Sequence, residues 1–66
     1  MGLNNMQFEN VFKWFGGKKR TADAVGVTPA AVSQWIEWGY IPPANALKIE
    51  LLTQGQFKAV DLINKG

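Results

Sequence analysis

The sequence of 66 residues contains no cysteine and no histidine. The lack of cysteine excludes a disulfide framework, and the lack of both residue types excludes a zinc site of the Cys/His kind. The five acidic residues are scattered, and no two of them lie at a short helical spacing. A paired-carboxylate catalytic site therefore has no support in the local sequence. We expect no enzyme, no catalytic residue, no metal site and no cofactor.

Long apolar runs are also missing. No run approaches the roughly 20 residues of a membrane span, and no signal-peptide pattern precedes the first predicted helix. We therefore expect a cytoplasmic protein without a membrane partner. Hydrophobic residues still make up 47% of the chain, with three tryptophans and four phenylalanines. That is enough for one small core, and no linker or repeat divides the chain, so we predict a single domain over residues 1–66.

The stretch 18–38, KKRTADAVGVTPAAVSQWIEW, has the pattern of two short helices joined by a tight turn. Gly26 suits the left-handed backbone that ends a helix, Thr28 suits an N-cap, and Pro29 suits a first helical position. Ala22 precedes the glycine by four residues, where two steeply crossing helices leave space for little more than a methyl group. Apolar residues continue this pattern at Val25, Val27, Val32 and Trp35. The spacing is typical of a helix-turn-helix.

The second helix of this motif has two unlike faces when it is drawn at about 100° per residue. The predicted inner face consists of Ala31, Val32, Trp35 and Trp38. The predicted outer face consists of Ala30, Ser33 and Glu37, with Pro29 and Gln34 on its flanks. Small and hydrogen-bonding side chains on an exposed helix permit close approach to base edges in the DNA major groove. The alternative is a solvated helix in an unrelated bundle.

Basic residues are concentrated near the start of the motif, at Lys13, Lys18, Lys19 and Arg20. A basic cluster attracts phosphates without sequence preference, and a helix N-terminus adds free N–H groups and partial positive charge. We therefore predict contacts to DNA phosphates from Lys18, Lys19, Arg20 and Thr21. For the basic cluster taken alone, a solvated loop is the alternative.

The rest of the chain is predicted to be helical. In the first helix Phe8, Val11 and Phe15 share one face and Phe12 borders it. Residues 1–5 are expected to precede that helix. Two prolines after Gly39 argue against a central strand, and no pair of strands joined by a hairpin turn follows. The predicted helices span residues 6–15, 18–25, 28–38, 43–54 and 58–63.

The fourth predicted helix is unusual because it carries two apolar stripes rather than one. Leu47 and Leu51 form one stripe, and Ala46, Ile49 and Leu52 form the other. We expect Ile49 and Leu52 in the core, with a partner surface as the alternative. The final segment is predicted as a short helix that covers the core, although extended structure is an alternative near Phe57 and Val60.

The order WFGGKKRTADAVGVTPAAVSQWIEWGYIPP, followed by ALKIELLTQG, resembles the lambdoid phage Cro repressors and the Cro-like regulators of bacterial prophages. The resemblance covers about residues 11 to 63. Its most specific pieces are FGG, T-A-x-x-V-G-V, A-V-S-Q-W, and I-P-P followed by L-K-I-E. It implies an all-α, lambda-repressor-like DNA-binding domain of five short helices. The lack of a hairpin pattern favours the all-helical members over those that end in a β-hairpin.

The resemblance also implies a function and a set of contacts. The function is that of a transcriptional repressor, in the cytoplasm of a host bacterium, that binds pseudo-palindromic operator DNA in the major groove as a homodimer. The dimer would be weak in solution, or would form only on DNA. Positions that match the family's base-contacting residues are Thr28, Pro29, Ala30, Ser33 and Gln34. Positions that match its phosphate-contacting residues are Lys18, Lys19 and Thr21, and Tyr40 falls near another.

Some relatives have hydrogen-bonding side chains where this chain has Pro29 and Ala30. Base recognition is therefore expected to depend on Ser33 and Gln34, on contact between Ala30 and thymine methyl groups, and on DNA shape. The alternative function is a helix-turn-helix module that binds another protein and no DNA. Salt separates the two, because binding through several phosphates falls steeply with salt concentration and a hydrophobic interface barely responds.

Overall fold

The structure, a computed structural model, describes residues 5–63 of the chain. Over that range the chain forms five α-helices and no β-strand. Their bounds are Asn5–Phe15 (α1), Lys18–Val25 (α2), Pro29–Trp38 (α3), Pro43–Leu52 (α4) and Ala59–Leu62 (α5). The all-α prediction with a central helix-turn-helix is confirmed. Of the segment expected to precede α1, Asn5 belongs to the helix, and residues 1–4 lie outside the described range.

Helix α1 supplies two aromatic side chains to the core. Phe8, Val11 and Phe12 are buried, and the stacked rings of Phe8 and Phe12 have centroids 6.1 Å apart. The sequence placed Phe15 inside and Phe12 at the border, and the structure reverses their order, since Phe15 is only half-buried. Phe15 is the last residue of α1, so no further helical turn follows to cover it.

The turn between α2 and α3 has the predicted geometry. Gly26 has φ 86°, and its N–H donates to the carbonyl of Ala22 at 2.8 Å. The N–H of Val27 donates to the same carbonyl at 2.9 Å, which closes the end of α2. Thr28 then caps α3, because its Oγ1 accepts a hydrogen bond from the N–H of Ala31 at 3.2 Å. Each of these residues therefore has the local role that its type suggested.

The motif packs on the core through a small set of fully buried side chains. Ala22 and Val25 lie inside on α2, and Val32 and Trp35 lie inside on α3. Trp38 was predicted with them, and that prediction is wrong, because 47% of the residue is exposed. At about 100° per residue, Trp38 points roughly 90° away from the middle of the stripe formed by Val32 and Trp35.

Helix α4 ends at Leu52, two residues before the predicted end. It stops there because Gln54 and Gly55 both have left-handed backbone, with φ 53° and 84°. The buried side chain of Thr53 closes the helix: its hydroxyl donates to the carbonyl of Ile49 at 2.8 Å and accepts from the N–H of Phe57 at 3.3 Å.

The two stripes of α4 have different surroundings. Ala46 and Ile49 are fully buried, whereas Leu47 is 56% exposed and Leu51 is 73% exposed. Leu52 was expected in the core with Ile49, and this is wrong, since Leu52 is 43% exposed. The core stripe is centred between Ala46 and Ile49, and Leu52 points about 90° from that centre. One apolar face of α4 therefore remains at the surface.

Helix α5 and the segment before α4 close the molecule. The N–H of Ile41 donates to the carbonyl of Leu62 at 2.9 Å, and both residues are buried. The predicted last helix began at residue 58, but Lys58 is the N-cap and α5 begins at Ala59. Within α5, Val60 is exposed and Leu62 is buried. The tail thus covers the core through Leu62, with half-buried Phe57 packed beside it.

Candidate nucleic-acid interface

The outer face of α3 is the surface that the sequence proposed for base contacts. All five predicted residues are exposed, namely Thr28, Pro29, Ala30, Ser33 and Gln34. They occupy the N-cap and the first two turns of α3. Of the five, Ala30, Ser33 and Gln34 point away from the buried Val32 and Trp35. Glu37 extends the same exposed face by one turn. The core therefore anchors one side of the helix and leaves the other side accessible.

Thr28 has two properties that matter at this surface. Its Oγ1 accepts from the N–H of Ala31, so the hydroxyl is held in place at the helix start. The hydroxyl proton is not used by that bond and is available to a hydrogen-bond acceptor. Pro29 follows at the first helical position, where its missing N–H costs nothing. The N-terminal turn of α3 is thus rigid and has little side-chain bulk.

The three basic residues at the start of α2, Lys18, Lys19 and Arg20, are all exposed. Lys18 extends back over α1, with its Nζ 6.0 Å from the centre of the Phe12 ring. Arg20 also folds back, because a Cβ on Gly16 would lie 3.0 Å from the Cδ of Arg20. The first N–H groups of a helix have no partner inside the helix. The start of α2 therefore combines exposed cationic side chains with a helix N-terminus, which favours an anion.

Thr21 does not fit the phosphate contact predicted for it. The residue is 0% exposed, and its hydroxyl donates to the carbonyl of Gly17 at 2.7 Å. Its backbone N–H donates to the same carbonyl at 2.9 Å. Both groups of Thr21 therefore stabilise the start of α2 from the inside. We correct its role from a phosphate ligand to a residue that holds the first turn in place.

Tyr40 lies just beyond the C-terminus of α3, at the opposite end of that helix from Thr28. Its ring stacks on the exposed Trp38, with centroids 5.6 Å apart and planes 22° apart, and the residue is half-buried. Gly39, with φ 80°, ends α3 between the two aromatic residues. The ten residues of α3, which span about 15 Å along the helix axis, separate Tyr40 from Thr28. Tyr40 is therefore separate from the base-contact candidates and borders the far end of their helix.

Sequence reasoning missed two polar contacts made by α4. Lys48 Nζ donates to the carbonyl of Val25 at 2.9 Å, at the end of α2. Glu50 Oε1 accepts from the N–H of Ala59 at 2.7 Å, at the start of α5. Cationic side chains generally stabilise helix C-termini, and anionic side chains stabilise helix N-termini. Here the partners lie 23 and nine residues away in sequence, so no local pattern indicated them.

Within residues 5–63 no group of three acidic side chains comes together as a metal site would require. None of the helices in that range combines the length and the apolar character needed to span a membrane.

Two comparisons with known proteins bear on this surface. The model of the family described as "DNA-binding transcriptional regulator Cro" matches residues 7–65. The chain belongs to this family. The regulatory protein cro of Salmonella phage P22 is 40% identical over 53 residues, which cover 80% of this chain and 84% of that protein. No solved structure matches the chain significantly.

Membership in the Cro family confirms the resemblance stated for the sequence and the interpretation as a DNA-binding transcriptional regulator. The matched range of 7–65 includes every residue proposed for DNA contact, from Lys18 to Tyr40. The family is one of regulators, which points away from an enzyme. Neither comparison supports the alternative of a helix-turn-helix module that binds only protein.

Proposed function

We propose that this Cro-family protein is a repressor that recognises a pseudo-palindromic operator with the outer face of α3 in the major groove. The observation that carries the proposal is the division of α3 into two sides. Val32 and Trp35 are fully buried, while the opposite face is exposed and carries small or hydrogen-bonding side chains. A major groove about 12 Å wide admits a helix with such a face.

The proposed base contacts follow from the chemistry of each side chain. Gln34 can make a paired hydrogen bond to adenine, and Ser33 can donate to or accept from either kind of base. Ala30 and Pro29 present apolar surface that suits the methyl group of thymine. Thr28 keeps a hydroxyl proton for an acceptor while it caps the helix. Since only a few of these contacts are hydrogen bonds, DNA shape contributes to the choice of site.

The proposed phosphate contacts flank this face. Lys18, Lys19 and Arg20 are exposed at the N-terminus of α2, and Tyr40 lies past the C-terminus of α3. Lys19 is the strongest candidate of the three basic residues, because Lys18 extends over Phe12 and Arg20 folds over Gly16. Contacts of this kind fix the position of a protein on the duplex and supply most of its salt-dependent affinity.

A pseudo-palindromic site requires two copies of the protein, so we include a homodimer on DNA in the proposal. The candidate contact surface is the exposed stripe of α4, Leu47 and Leu51, together with the exposed apolar residues of the tail, Val60 and Ile63. A small apolar surface of this kind is consistent with weak association in solution and with assembly on DNA. The proposed site of action is the cytoplasm of the host bacterium, and the proposal includes no catalytic step.

Selection of bound duplexes from a random pool, followed by footprinting, tests the function. We expect two inverted half-sites about one helical turn apart and a binding constant that falls steeply with salt. A single half-site protected by one copy would contradict the dimer. If no sequence is enriched, and if binding to a protein partner persists at high salt, the protein–protein module is correct instead.

A further inference from the structure

The side chain of Lys48 connects α4 to the turn of the helix-turn-helix. Its Nζ donates to the carbonyl of Val25 at 2.9 Å, although the two residues are 23 positions apart. The same Nζ lies 3.5 Å from the position that a Cβ on Gly26 would occupy. The ammonium group therefore rests on the last residue of α2 and on the glycine that follows it. Lys48 is exposed as a residue, but this hydrogen bond is partly buried.

The end of α2 is a place where a cation stabilises the backbone. The last carbonyls of a helix have no partner inside the helix and carry partial negative charge. The carbonyl of Ala22 already accepts from the N–H groups of Gly26 and Val27. The carbonyl of Val25 receives its hydrogen bond from Lys48. The turn is therefore held both by local backbone hydrogen bonds and by one long-range hydrogen bond from α4.

We propose that Lys48 is a positioning residue for DNA recognition, which sets the direction of α3 through its contact with the turn at Val25 and Gly26. The inference rests on the proposed function of α3. Only three residues, 26–28, separate α2 from α3, so the backbone at this turn determines where the outer face of α3 points. Base contacts require side chains held to within fractions of an ångström, whereas contacts to phosphates tolerate more movement.

The test compares Lys48→Met with Lys48→Arg. Lys58→Met is the control, because it removes one positive charge just as Lys48→Met does. Lys58 lies before α5, and its Nζ is 3.3 Å from the position of a Cβ on Gly55, so the control removes a cation at a distance from the α2–α3 turn. Affinity for the selected operator and for random DNA is measured well below the melting temperature of each variant. We expect Lys48→Met to lower the ratio of operator to random affinity by about fivefold or more, with the salt slope unchanged. Lys48→Arg restores the ratio, and Lys58→Met leaves it at the wild-type value.

A second arm uses the free protein. In ¹H–¹⁵N spectra, Lys48→Met should shift the amide signals of Gly26 and Val27, while Lys58→Met should not. An unchanged affinity ratio in Lys48→Met, or unchanged amide signals at the turn, overturns the positioning role. A salt slope reduced by about one unit also overturns it, because Lys48 would then contact a phosphate directly. If the wild-type protein itself shows no sequence preference, the proposed function fails together with this inference, and the wild-type measurement alone identifies that case.

Discussion

The carboxylate of Glu50 accepts a hydrogen bond from the backbone N–H of Ala59, with 2.7 Å between Oε1 and N. Ala59 is the first residue of α5, so a side chain from α4 caps the N-terminus of the next helix. A negative charge at this end also interacts favourably with the partial positive charge of the helix N-terminus. The contact fixes α5, and with it Leu62, over the core.

Replacing Glu50 with Ala removes this cap. We expect the free energy of unfolding to fall by about 1–2 kcal/mol, because a partly buried N–H loses its acceptor. Glu50→Gln keeps a carbonyl oxygen as acceptor and should lose less. Urea titration followed by circular dichroism measures both variants. Equal losses in the two would show that the charge, and not the hydrogen bond, is what matters.

Replacing Trp35 with Ala tests the inner side of α3. The side chain is 1% exposed, so its truncation should lower the free energy of unfolding by about 3–5 kcal/mol. Domains of this size have only a few kcal/mol of stability, so the variant should be largely unfolded at 25 °C. Trp38→Ala is the matched control. It removes an exposed indole that stacks on Tyr40 and should cost only about 1 kcal/mol. A cooperative melt of Trp35→Ala at the wild-type temperature would contradict the packing described for α3.

Replacing Gln34 with Ala tests the outer side of α3. Affinity for the selected operator should fall by about 1–3 kcal/mol, with relaxed preference at one base pair and no change on random DNA. Fluorescence anisotropy with the operator and with single-base variants provides the measurement. Gln56→Ala, an exposed change outside the helix-turn-helix, serves as the control. An equal loss on operator and random DNA would mean that Gln34 does not contact a base.

Replacing Lys19 with Ala tests the phosphate contact at the start of α2. Binding to every sequence should weaken alike, and the slope of log K against log salt should shrink by about 0.9 for each phosphate that the variant no longer neutralises. Lys58→Ala removes the same charge near α5 and should leave the slope unchanged. If the two variants behave identically, the effect is one of net charge rather than of a specific phosphate contact.

Replacing Leu51 with Lys tests the exposed stripe of α4. Because Leu51 is 73% exposed, stability should change by less than about 0.5 kcal/mol. Binding to a single half-site should persist, while cooperative binding to the full operator should disappear. Asn10→Lys adds the same charge on the exposed part of α1 and should keep cooperativity. Retained cooperativity in Leu51→Lys would exclude this stripe from the dimer contact.

The sequence predicted local features well where one residue type has one structural use. Gly26 ends α2 in the left-handed region, and Thr28 caps α3, because few other residues serve those positions. Helical periodicity placed Val32 and Trp35 in the core, and both are fully buried. Periodicity failed for Trp38 and Leu52, which lie to the side of the buried stripes of α3 and α4. Whether a side chain at such a position is buried depends on the neighbouring helices.

Contacts between distant parts of the chain could not be predicted in the same way. Local sequence patterns indicated no role for Lys48 or Glu50, because their partners are backbone groups of other helices. Thr21 was assigned to phosphate from its position in a basic stretch and from the family resemblance. The structure has it facing inward, because its side chain satisfies the carbonyl of Gly17 one turn earlier.

The two-sided construction of α3 has an evolutionary consequence. Val32 and Trp35 secure the helix without help from Ala30, Ser33 or Gln34, which touch solvent. Substitutions at these outward positions can accumulate with little effect on folding. On the proposed function, a lineage of such proteins can therefore acquire new target sequences by changing a handful of codons, while the scaffold that carries them is inherited unaltered.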